Sequence, residues 1–186
     1  MQLTGYSREI GKKGDLSRAR REGKIPAILY GPRAKPVALY LSQEEINGML
    51  RVLERNTLST KLLTLQHEGK TLRVLVKEIQ YHRTSYVIEH IDLFEVAQGV
   101  PLQVRVPIQL AGTMDCAGVK LGGFVRQVIR YLKVSCLPDA IPQNFTIDVR
   151  EMGVAAVKRL SDIAIPSGVR PLGKMNEVAV VIAKKA

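Results

Sequence analysis

Short apolar runs closed by glycine or proline recur along this 186-residue chain, and that punctuation commits it to a β-rich fold. Residues 26–30 run into Gly31-Pro32, and residues 37–41 form a second run. Residues 61–66 and 71–77 flank Glu68-Gly69-Lys70, a hairpin signal. A further strand pair is expected at 76–81 and 86–94. In the latter, Val87, Glu89, Ile91 and Leu93 alternate with Ile88, His90, Asp92 and Phe94. One helix interrupts the pattern. Ser42 reads as its N-cap, with Glu45 three residues later completing a capping box, and Ile46, Met49, Leu50 and Leu53 follow at helical spacing. Residues 16–21 predict a shorter basic helix ended by Gly23. Strands around an inserted helix give a small mixed barrel over residues 1–95.

Residues 97–101 read as a junction. Beyond it, 102–106 and 145–149 alternate strictly, while Gly118, Gly122-Gly123, Pro138, Pro142, Pro166 and Pro171 cut the chain into short strands. Residues 178–182 form a last apolar strand, and 154–160 a short helix. The expected class is mainly β with some α: an N-terminal β-barrel with short helices, then a β-rich C-terminal domain over 100–186.

Charge narrows the function. Lys and Arg number 28 against 17 Asp and Glu, a net charge of +11, which favours a polyanionic partner. Nine of those cations precede residue 36, against Glu9, Asp15 and Glu22. A membrane is a poor candidate, because no apolar run approaches the roughly 20 residues a spanning helix needs. Residues 1–10 also lack the apolar stretch of a leader peptide, so a cytoplasmic protein is expected. Cys116 and Cys136 read as reduced structural thiols, since no Cys or His lies close to either in sequence. Enzymatic patterns are missing. Gly11-Lys12-Lys13-Gly14 lacks the spacing of a phosphate-binding loop, the three histidines have no metal spacing, and His82 with Ser85 has no third partner. No catalytic residue, cofactor, metal or small-molecule substrate is expected.

Several segments, taken in order, resemble one family. Arg8, Lys12-Lys13-Gly14 and the stretch from Arg18 to Gly31 (Arg-Ala-Arg-Arg-Glu-Gly-Lys-Ile-Pro-Ala-Ile-Leu-Tyr-Gly) are similar to the N-terminal signature of the bacterial ribosomal L-twenty-five family. Residues 76–82 and His90-Ile91-Asp92 resemble two further strands of it. Val106-Pro107, Gly118-Val119-Lys120, Gly122-Gly123 and residues 134–142 resemble the extra domain of its longer form, the general stress protein type. The resemblance implies a barrel that docks on a bulged stretch of 5S ribosomal RNA within the large subunit, beside neighbouring ribosomal proteins. Two positions depart from the pattern: Ser17 stands where a second adjacent arginine is common, and Asp15 where a small residue is usual. Both take positive charge from the expected RNA face.

Double-helical RNA hides its major groove and presents 2′-hydroxyls and base edges in a shallow minor groove. A protein reading it needs guanidinium groups for phosphates and short polar side chains for edges. Arg18, Arg20 and Arg21, with Arg8 and Lys13 near them in sequence, suit the first task, since the planar guanidinium fork matches phosphate geometry. Gln80, His82, His90 and Asp92 suit the second. Strand periodicity puts Gln80 with His82 and His90 with Asp92, so two adjacent strands would present all four to one ligand. Asp92 accepts from base amino groups or orients His90, and Tyr30 stacks at the RNA edge or lines the core rim. Two rivals stand beside 5S binding: a transfer-RNA-binding barrel, and a stress-linked protein adapter acting through the C-terminal half.

Overall fold

The computed structural model describes residues 2–9, 11, 13–32, 35–53 and 57–184. The chain divides into two units, Met1–Val100 and Pro101–Ala186.

In the first unit the elements run β1 (Gln2–Ser7), α1 (Lys13–Arg21), β2 (Lys24–Tyr30), β3 (Val37–Ser42), α2 (Gln43–Val52), β4 (Leu62–His67), β5 (Lys70–Tyr81) and β6 (Ile88–Glu95). The six strands close a barrel in the order β1-β3-β2-β6-β5-β4. Two seams, β1 with β4 and β2 with β6, are parallel, and the other four are antiparallel. Period-two alternation sends Ile25, Ala27 and Leu29, Leu39 and Leu41, Leu63 and Leu65, and Ile91 and Leu93 inward, all 3% exposed or less. Helix α2 adds Ile46 and Met49 to that core.

The β4–β5 hairpin forms as expected, with Glu68 at φ 48° and Gly69 at φ 73°, the two positive angles of a type I′ turn. The strands expected at 71–77 and 76–81 prove to be one continuous strand of 12 residues. The capping box does not form. Ser42 occupies the N-cap position of α2 without a side-chain bond to the helix. The Glu45 carboxylate instead accepts from the backbone N–H (2.9 Å) and hydroxyl (3.1 Å) of Thr4, fastening α2 to β1.

The second unit comprises β7 (Leu102–Ala111), α3 (Ala117–Lys120), β8 (Gly123–Gln127), β9 (Tyr131–Cys136), β10 (Phe145–Asp148), β11 (Val157–Arg159), β12 (Val169–Pro171) and β13 (Val178–Lys184). They build two sheets, β10-β7-β9-β12 and β11-β13-β8. The helix expected at 154–160 is absent. Ala155 takes a left-handed φ of 64°, Val157 pairs with Val181, and a 3-10 turn follows at Leu160–Asp162. Ladder bonds to β13 outweigh the local helical preference there. Cys116 and Cys136 are buried and not joined in a disulfide, and the Cys116 thiol donates to the Met152 carbonyl at 3.4 Å. Among the described residues no helix is long and apolar enough to cross a membrane.

Candidate nucleic-acid interface

The basic helix α1 packs against β2. Its inward side chain is Ala19, at 7% exposure, while Arg18 and Arg21, three positions apart and so neighbours on one helix face, are exposed. Arg18, Arg20 and Arg21 occupy the last turn, where cations complement the negative end of the helix dipole. Gly23, at φ 74°, then turns the chain directly into β2. Helix α1 starts at Lys13, earlier than expected; the side chain of Lys13 and the whole of Lys12 lie outside the described residues.

Arg20 turns toward the protein. Its Nε and Nη2 both donate to the Glu89 carbonyl, at 3.2 and 3.0 Å. That carbonyl is accessible because β6 bulges there. Gln80 pairs with His90 and Tyr81 with Ile88, leaving Glu89 as the extra residue in the ladder. Two of the five guanidinium donors of Arg20 are thus used in seating α1, and three remain.

The bulge also sets the neighbouring polar face. Ile88, Ile91 and Leu93 are buried, while His90 and Asp92 point outward. Nδ1 of His90 lies 2.9 Å from Oδ1 of Asp92, with both side chains about a quarter exposed (24% and 28%). When the imidazole is neutral, that contact puts its proton on Nδ1 and leaves Nε2 as an acceptor. Gln80 is exposed directly across the ladder from His90, and Glu78 stands opposite Asp92. Gln80, His90 and Asp92 are therefore brought together.

His82 does not join them. Strand β5 ends at Tyr81, and His82 begins the turn to β6, its N–H bonded to the Val87 carbonyl at 2.8 Å. Its Nδ1 faces the hydroxyl of Ser85 at 2.9 Å and the Ser85 N–H at 3.2 Å. The strand periodicity that would align it with Gln80 ends with β5 at Tyr81.

Tyr30 sits at the rim, its ring edge-on to Phe94 with centroids 5.7 Å apart, while the Lys77 ammonium lies 4.7 Å from the Phe94 ring centre. Partial burial, reinforced by the Asp92 and Glu78 carboxylates, raises the Tyr30 hydroxyl above the ordinary tyrosine pKa. Arg8 follows β1. Its guanidinium lies 5.7 Å from the Tyr40 ring centre, and its Nε is buried with no hydrogen-bond partner among the described residues. One contributor carries no sequence signal. Glu89 contributes only a backbone carbonyl, which no side-chain pattern announces.

The assembly can hold an anionic backbone on the exposed arginines of α1 and test hydrogen-bonding edges with Gln80 and His90. Residues 3–93 match the family model described as the Ribosomal L25p family. Residues 101–186 match that described as ribosomal protein TL5, C-terminal domain. Over 185 aligned residues, spanning the full length of both chains, the sequence is 39% identical to large ribosomal subunit protein bL25 of Chlamydia muridarum, 40% to that of Chlamydia abortus and 37% to that of Chlamydia pneumoniae.

Proposed function

The chain belongs to the Ribosomal L25p family, and from that membership we propose that it binds 5S ribosomal RNA through the face built by α1, β5 and β6. It is a structural, non-enzymatic constituent of the large ribosomal subunit, associated with the ribosome in the cytoplasm. The observation that carries the 5S reading is the pairing of an anchored arginine with exposed ones. Arg20 fixes α1 to the β6 bulge at Glu89, next in sequence to His90 of the Gln80, His90 and Asp92 cluster, and Arg18 and Arg21 of the same helix stand exposed.

In this reading Arg18 and Arg21 neutralise phosphates, helped by Lys13 and by the remaining donors of Arg20. Gln80 and His90 bond to base edges or ribose hydroxyls, with Asp92 holding the imidazole in one orientation. Tyr30 supports the rim of the contact, and Arg8 and His82 supply its edges. The interface performs no chemistry; affinity comes from counterion release plus a few edge contacts.

A gel shift with a 5S transcript and transfer RNA as competitor tests the proposal. The expected result is a complex that excess transfer RNA does not displace. Equal competition by both RNAs would sink the 5S assignment in favour of a general RNA-binding barrel.

A further inference from the structure

The barrel face leaves half of the charge unexplained. Residues 101–186 carry 12 Lys and Arg against 6 Asp and Glu, a net +6 of the whole chain's +11. Part of that charge is concentrated on one sheet face. In β7, Leu102, Val104 and Val106 are buried while Gln103 and Arg105 face out; in β9, Leu132, Val134 and Cys136 are buried while Tyr131 and Lys133 are exposed. In β12, Val169 is buried and Arg170 exposed. Arg105 pairs directly with Lys133, and Arg170 pairs with Ser135, diagonal to Lys133.

Like charges placed opposite one another weaken a β-ladder. None of these three strands contains an aspartate or glutamate. Beside them lies a groove of about 460 Å³ with an apolar floor that includes Val128, Ile129 and Leu160, and with Arg105, Arg130 and Lys133 against one carboxylate, Glu177, in its lining. Tyr131 is 40% exposed, an aromatic surface of the kind that stacks on bases or sugars. A face whose outward side chains include two arginines, a lysine and no carboxylate suits a polyanion, which meets cations without needing matched carboxylates of its own.

We infer that the outward face of β7, β9 and β12 binds the sugar–phosphate backbone of ribosomal RNA, giving the C-terminal unit an RNA contact of its own. Arg105, Lys133 and Arg170 engage phosphates, and Tyr131 packs against a base or ribose. The inference rests on the chain being a ribosomal protein and is independent of whether the barrel selects 5S RNA.

The test uses the full chain and two RNA probes, a transcript of large-subunit ribosomal RNA without 5S, and 5S RNA alone. The variant Arg105→Ala/Lys133→Ala/Arg170→Ala is expected to bind the large-subunit transcript at least about tenfold more weakly, with a log–log salt slope shallower by about 2.7, at roughly 0.9 per contact. Its binding to 5S RNA should stay at the wild-type level. Arg18→Ala/Arg21→Ala should give the opposite pattern, so failure of one contact is distinguishable from failure of the other. Removing like charges from an exposed face does not threaten the fold, and Arg105→Lys/Arg170→Lys, which keeps the charge, should retain the wild-type slope. A wild-type slope and affinity for the triple alanine variant on the large-subunit transcript overturn the inference. So does a variant that binds that RNA normally yet fails to join subunits, because the face would then dock a protein.

Discussion

The Arg20 guanidinium converges with two donors on a single acceptor, the carbonyl oxygen of Glu89, tying the basic helix to an irregularity in β6. Arg20→Ala should therefore act first on stability, costing about 1–2 kcal/mol for two partly exposed charge-assisted bonds, read as a lower urea midpoint. Arg20→Lys should recover only part, since an ammonium does not reproduce the fork. Arg21→Ala should leave the midpoint unchanged and flatten the salt slope of 5S binding by about 0.9. If Arg20→Ala left the midpoint at the wild-type value, the seating role would be lost.

His90 and Asp92 form one unit at 2.9 Å, and their substitutions should not add. His90→Ala is expected to weaken 5S binding with little change in salt slope, because it removes an edge contact and no phosphate contact. Asp92→Ala should weaken it less, through a misaligned ring. The double variant should bind like His90→Ala alone. Fully additive losses in a double-mutant cycle would mean that each residue meets the RNA separately.

Tyr30 gives a pH signature. Burial first, then Asp92 and Glu78, disfavour its phenolate, so the folded state holds this proton to higher pH than the unfolded chain does. The associated stability is present below about pH 10, the ordinary tyrosine value, and is lost as pH rises through the elevated one. Urea midpoints of wild type should fall more steeply than those of Tyr30→Phe above that pH. The tyrosinate absorbance difference between the two proteins should titrate later than free tyrosine. An ordinary midpoint in that difference would place the hydroxyl in bulk water.

The strands with strong apolar alternation were legible in sequence, as were α2 and the Glu68-Gly69 turn, because each follows from neighbours along the chain. Strand β1 was not. Leu3 is its single large buried side chain, and Gly5 faces inward where a β-carbon would stand 3.2 Å from Leu65. Its partners lie far away in sequence. The spacing from Ser42 predicts Glu45 as half of a capping box, yet Thr4 offers its carboxylate two donors from strand β1.

At the site, strict alternation over 86–94 puts Ile88 on the same side as His90 and Asp92. The structure buries Ile88 with Ile91 and Leu93, since the extra residue Glu89 reverses the phase. An isoleucine in the polar phase was the available sign of a bulge. His82 stands outside the cluster for a different reason: β5 ends before it, and its ring turns to Ser85 in the connecting turn.

The parallel seams of the barrel have a kinetic meaning. Strand β1 closes on β4, some sixty positions later, and β2 on β6, a comparable distance on, so neither seam can form until distant chain has been synthesised. The carbonyl that seats the basic helix comes 69 residues after the arginine that grasps it. A nascent chain consequently emerges with its cationic segment unmounted, and α1 gains its fixed seat only when the last barrel strand arrives. The topology thereby makes the mounted helix a property of the completed domain and of no shorter length of chain.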